Sequence, residues 1–181
     1  MERATAIGRA IREAGLIRTS GRGTSAAQMD ERDAVNLLIG VNVADTARSA
    51  PGAVAQYRAL LAKRRNRTSE FGGELEELLS AAKRECLADY VMKTVTLLGA
   101  QGHVLGRKRF TNEAYRFEIE FGKPLPSVVL GIWGPNRQNA YIDFFGRQPI
   151  DEVHGDRKER TRITERTIRA VADVLRIRSE A

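Results

Sequence analysis

Two groups of side chains in the first third of the chain have the chemistry of anion binding. Lys63-Arg64-Arg65-Asn66-Arg67 puts four cations within five residues, a density that attracts a phosphate backbone without reading its sequence. The second group runs from Gly15 to Ser25. There Gly21 and Gly23 let backbone N–H groups approach a polyanion, and Arg18 and Arg22 add charge. Thr19, Ser20, Thr24 and Ser25 offer neutral donors to phosphate oxygens. Arg48 and Arg58 lie in the same third, and Arg48 is a candidate for base edges. The ordinary alternatives are a surface loop for the glycine segment and a solvated helix end for the Lys/Arg cluster.

Composition agrees with a polyanionic partner. The 181 residues carry 30 basic and 23 acidic side chains, a net charge of +7. Of the basic residues 24 are Arg, whose forked guanidinium matches phosphate and guanine better than a point-like ammonium does. Residues 1–67 hold 12 basic and 6 acidic groups, whereas residues 68–99 hold 3 and 6. A surface charged only for solubility needs no such asymmetry.

Other chemistries fare worse. Cys86 is the sole cysteine and His103 and His154 the only histidines, so neither a disulfide framework nor a thiolate zinc site is available. Glu113, Glu118, Glu120 and Asp143 are the types a metal-dependent nuclease uses. The spacing Glu120-Phe121-Gly122-Lys123 misses the Glu-x-Lys such enzymes need, and Glu118 and Glu120 read as the wet side of a strand. There is no Walker phosphate loop and no nucleophile motif. The expectation is a non-enzyme with no cofactor and no metal. The start, Met1-Glu2-Arg3-Ala4, lacks the apolar stretch of a secretory signal, and no apolar run reaches the ~18 residues of a membrane span, so the expected compartment is the cytoplasm.

These candidates must be held by elements that the periodicity predicts. Ala4, Ile7, Ala10, Ile11 and Ala14 recur at helical spacing and Gly15 stops the helix. Asp30 caps a second helix bearing Leu37, Leu38 and Val41. A third starts near Pro51, buries Val54, Tyr57, Leu60 and Leu61, and ends in the Lys63–Arg67 cluster at the negative end of its dipole. Leu75, Leu78, Leu79, Ala82, Cys86 and Tyr90 then follow one long helical period.

After Gly99 the period changes to two. Tyr115, Phe117, Ile119 and Phe121 alternate with polar residues, Ser127 to Trp133 and Ala140 to Phe145 form two further strands, and tight turns join them. Trp133 reads as a core or sheet residue. Arg107-Lys108-Arg109 precedes the strands. A closing helix from Glu165 to Ile177 buries Ile168, Val171, Ala172 and Leu175; at 100° per residue Arg162, Arg166 and Arg169 fall on a single face, with Arg176 close to it. The expected class is α+β: a helical half over residues 1–98, then a three-stranded antiparallel meander with a helix over residues 99–181.

Ala14-Gly15-Leu16-Ile17-Arg18-Thr19-Ser20-Gly21-Arg22-Gly23 resembles the end of a recognition helix entering the wing of winged helix-turn-helix transcription regulators. In that family a Gly-Arg-Gly wing tip touches the DNA backbone. The likeness covers about ten residues, and two helices that precede this segment in the family have no room here. The first forty residues are also similar to small, basic, prophage-type proteins of bacteria. Arg9, Ala10, Glu13, Ala14, Gly15, Leu16, Gly21, Arg22, Gly23, Met29, Asp33, Ala34, Asn36, Leu37 and Leu38 carry that likeness.

The resemblance implies a winged-helix-like or three-helix DNA-binding region and a regulator of transcription, with a C-terminal part for dimerisation or docking. On that reading Arg18, Thr19, Ser20, Arg22, Gly23, Thr24, Ser25, Arg48, Lys63, Arg64, Arg65 and Arg67 face duplex DNA. The competing expectation is a protein–protein adaptor that docks on RNA polymerase or a phage assembly component.

Overall fold

Ile7 and Ile11 lie one turn apart and are wholly buried, which makes a helix of the first segment, α1 (Glu2–Glu13). Gly15 adopts φ +72° and closes it: its N–H donates to the Arg12 carbonyl and that of Leu16 to the Ile11 carbonyl. The computed structural model describes residues 2–18, 29–81, 84–99, 102–146 and 158–175. Asp30 caps α2 (Glu31–Val43), its side chain accepting the Asp33 N–H at 2.8 Å. In the middle of α2, Gly40 lets Ile7 and Ile11 of α1 and Val54 of the next helix approach its backbone, so three helices cross closely there. That next helix, α3 (Ala50–Arg58), has Pro51 in its first turn and buries Val54 and Tyr57.

The Lys/Arg cluster is not a helix end. α3 stops at Arg58, the Leu60 N–H closes a turn on the Tyr57 carbonyl, and residues Ala62–Arg67 form an extended strand, β1. A row of charged side chains has no apolar face to bury, so it lies at a sheet edge, where charge also discourages pairing with another chain.

The long helix expected over residues 75–90 is two helices, α4 (Gly73–Ala81) and α5 (Leu87–Gly99). The break has a reason in the chain after α3. Leu61 and Cys86 form an antiparallel bridge and the Leu87 N–H donates to the Leu60 carbonyl at 2.8 Å. Backbone groups that serve another segment cannot also extend a helix.

A small hairpin, β2 (Val104–Leu105) with β3 (Phe110–Thr111), leads to β4 (Arg116–Lys123), β5 (Ser127–Trp133) and β6 (Asn139–Phe145). These last three are the expected meander. The sheet is wider than expected, because β1 joins β6 on one edge and β7 (Glu159–Thr164) joins β4 on the other. All four pairings are antiparallel, in the order β1-β6-β5-β4-β7. The last helix, α6 (Glu165–Leu175), follows β7 directly and buries Ile168 and Ala172. Arg162 therefore belongs to a strand and not to the closing helix.

The α+β class holds, with helices first, an antiparallel sheet and a C-terminal helix. Phe117, Ile119, Phe121, Leu130, Ile132, Ile142 and Phe144 cover one face of the sheet and share a single apolar core with Ile7, Ile39, Val54, Leu75, Val91 and Ile168. That core runs through the change of periodicity near residue 99.

Candidate nucleic-acid interface

β1 is the most basic element of the sheet. Its register sets which way each side chain goes: Arg65 and Arg67 stand opposite the buried Ile142 and Ala140, while Arg64 and Asn66 stand opposite Asp143 and Tyr141 on the other face. A bulge falls between Ala62 and Arg64. Arg65 reaches over to donate to the Leu79 carbonyl of α4, and Arg67 forms an ion pair with Glu76 of the same helix. A groove of about 430 Å³ runs between the strand and α4, lined by Lys63, Arg64, Arg65, Asn66 and Arg67, with Glu76, Leu79, Ser80 and Tyr141 closing it. Among the described residues Lys63 and Arg64 enter no ion pair.

Glu76 is the groove's acid. Burial works to raise its carboxyl, but hydrogen bonds from Arg67 and from the Phe71 amide, with the Arg67 charge, hold it below the usual carboxylate range. It stays ionised and keeps α4 tied to β1.

The sheet face away from the core is wet. Every position on it is half-buried or exposed except Gly131. Gly131 is covered from the same strand: the Trp133 indole folds back over it, so that a Cβ at 131 would strike the ring. Tyr141, paired across from Gly131, meets that indole edge-on, with centroids 5.5 Å apart and planes at 89°. Towards β7 the same face is charge-matched, Arg160 with Glu120 at 2.8 Å and Arg162 with Glu118 at 3.4 Å. Two of the four nuclease-like carboxylates, Glu118 and Glu120, are thus spent in cross-strand pairs, and no group of three or more His, Cys, Asp or Glu among the described residues could hold a metal.

The other sequence candidates sit elsewhere. Arg18 is tied to the α2 cap, its N–H donating to Asp33 at 3.2 Å and its side chain pairing with Asp30. Thr19, Ser20, Arg22, Gly23, Thr24 and Ser25 lie outside the described residues. Arg48 is exposed at the corner before α3, beside Asp45, which pairs with Lys123 at the far end of β4. Neither Arg18 nor Arg48 lines the β1 groove.

Arg107 pairs with Glu70 at 3.2 Å, its backbone N–H held by the Phe71 carbonyl. Arg169 turns inward to donate to the Asn112 carbonyl at 2.8 Å, Arg166 is exposed, and Arg176 lies outside the described residues. His103 stands 3.6 Å from Glu74, and His154 is outside the described residues. Cys86 immediately precedes α5 and donates to Asp89 at 3.1 Å; burial raises its thiol above the ordinary range.

A second groove, about 1190 Å³ and wide open, lies between α4 and α5. Glu31, Glu74, Glu77, Glu85 and Asp89 outnumber Arg84 and Lys93 around it, Lys93 being paired with Glu85, over an apolar floor that includes Leu78, Met92 and Leu97. α4 therefore divides a basic groove from an acidic one, with Glu76 on the wall of both.

The feature of this sheet face that periodicity overlooked is the Trp133–Tyr141 pair. The parity of β5 and β6 holds the signal: with Leu130, Ile132, Ala140 and Ile142 buried, Trp133 and Tyr141 must face out. Among the described residues no helix is long and apolar enough to cross a membrane. Comparison of the chain with protein-family models, with curated proteins and with solved structures gives no match.

Proposed function

We propose that the chain is a DNA-binding protein, in the role of a regulator, that grips the phosphate backbone along β1. One observation carries this reading: Lys63, Arg64, Arg65 and Arg67 line a single groove on an exposed strand, with Glu76 and the neighbouring Asp143 as the opposing acids. Cations gathered on one rigid edge release condensed counterions together when a phosphate chain occupies them. The glycine segment with Arg18 and Arg22 supplies a second set of contacts in this reading, and Arg48 a third.

Salt-titrated binding to random duplex DNA tests it. The four cations of β1, neutralising four phosphates, contribute about −3.6 to the slope of log K against log salt, and the further contacts make it steeper. Lys63→Ala with Arg64→Ala, both on the exposed strand, flattens the slope by about 1.8 and leaves the unfolding midpoint unchanged. A slope near zero, or no binding of either duplex or single-stranded DNA at low salt, removes the proposal.

The acidic groove favours a second reading, an adaptor that receives a basic amphipathic segment of a partner protein. It takes over if DNA binding is absent and a Lys/Leu amphipathic peptide binds saturably, with loss of binding in Glu77→Lys.

A further inference from the structure

From the arrangement on the wet sheet face we infer that the ligand is single-stranded DNA, laid with its backbone along β1 and its bases stacked on Trp133 and Tyr141. This rests on the proposed DNA binding and adds the form of nucleic acid. The two rings occupy adjacent strands next to β1, on the wet face that Arg64 and Asn66 share, and Tyr141 is also a wall of the basic groove, so Arg64 and the aromatic surface form one patch while Arg65 and Arg67 turn towards α4.

Tyr141 is 37% exposed although it is large and aromatic, and the indole beside it is only half-buried. Asn66, the register partner of Tyr141, adds an amide that can donate to and accept from a base edge. Arg137, exposed in the β5–β6 turn, and Arg116, the register partner of Trp133, extend the positive charge past the rings.

A duplex hides the faces of its bases within its own stack. It can use the cations of β1 and gains nothing from the rings. A single strand can do both, since stacking on an aromatic platform contributes regardless of base identity. Opposite polarity at the α4–α5 groove keeps the polyanion on the β1 side. The β7 half of the sheet, with its Glu118 and Glu120 ion pairs, sets the far limit of the track.

The test follows two probes, fluorescein-labelled oligo(dT) and a labelled duplex of equal length, by anisotropy, together with the emission of Trp133, the chain's only tryptophan. Oligo(dT) is expected to quench Trp133 as it saturates. Tyr141→Ala, a change at an exposed position, weakens oligo(dT) about tenfold and leaves the duplex unchanged. Lys63→Ala with Arg64→Ala weakens both probes. Trp133→Phe keeps a ring in place and separates loss of stacking from loss of fold.

Binding of oligo(dT) without quenching, and with Tyr141→Ala unaffected, overturns the stacking inference while the phosphate grip stands. Binding of the duplex alone does the same. Failure of both probes overturns the inference and the DNA-binding proposal together.

Discussion

Tyr90 shows how one atom can be out of keeping with its surroundings. It is fully buried on α5, tilted against Phe144 with ring centroids 5.5 Å apart, and its hydroxyl has no hydrogen-bond partner among the described residues. Burial drives its pKa far above the ordinary tyrosine value; the Arg65 charge pulls against this and Glu85 adds to it. A hydroxyl stripped of water without a partner costs about 1–3 kcal/mol, while the ring itself packs well. Tyr90→Phe should therefore match the wild type or exceed it by about 1 kcal/mol in urea-melt stability. A loss larger than that would show that the hydroxyl has a partner in solution. Tyr90 was legible as a core residue from its helical period, but its solitary hydroxyl was not, because satisfaction depends on neighbours from other elements. Trp133 is the reverse case: its type suggests the interior, and only the parity of a strand of known burial turns it outward.

Among the described residues, β1 is held to the fold by its pairing with β6 and by the contacts of Arg65 and Arg67 with α4. Periodicity could not find this strand. Lys-Arg-Arg-Asn-Arg has neither a two-residue nor a 3.6-residue apolar pattern, and the cluster follows a real helix closely enough to look like its tail. The split between α4 and α5 was hidden for the opposite reason, since Leu75, Leu79, Cys86 and Tyr90 keep apparent register across it; only the long-range pairing of Leu60 and Leu61 with residues 86 and 87 reveals it. Asp30 and Gly15, whose roles are local, were legible at once.

The Arg67–Glu76 link has a definite pH signature. Glu76 titrates below its ordinary range when folded, so its stabilisation is complete above the unfolded carboxylate pKa and fades as pH falls through the lower folded value. The pair is partly solvated, so the effect is under about 1 kcal/mol. It should be visible locally as lower protection of the β1 amides, relative to their intrinsic exchange rate at each pH, below about pH 4, the reference range for glutamate. Glu76→Gln should raise β1 exchange at neutral pH and remove the acid dependence. If β1 exchanges identically in both proteins across the range, the strand is held by β6 alone.

At the scale of the whole molecule, the change from helical to alternating pattern predicted the α+β class, and the structure adds the joint between the two. α3 reaches the sheet through Tyr57, whose hydroxyl donates to the Gly122 carbonyl of β4. Lys123, the next residue, pairs with Asp45 before α3 and with Glu159 of β7 at 3.0 Å, and Thr161 of β7 donates to the Asn42 carbonyl of α2 at 2.8 Å. No sequence pattern marks these contacts, because each joins residues far apart in the chain.

The joint predicts behaviour in alkali. Burial, reinforced by the Asp45 charge, raises the Tyr57 pKa to about 12. A phenol held neutral in the fold contributes stability that is whole below the unfolded value of about 10 and is lost as pH rises towards the folded one. The total is about 2–3 kcal/mol. Tyr57→Phe gives up the hydrogen bond and should cost about 1 kcal/mol at pH near 8. It also gives up the ionisation, so its deficit should shrink as pH rises past about 10 and reverse before about 12. Paired urea melts of the two proteins at increasing pH measure this crossing. If the deficit stays constant throughout, the Tyr57 hydroxyl ionises alike in the folded and unfolded chain, and the polar joint between helices and sheet rests on the Lys123 and Thr161 contacts.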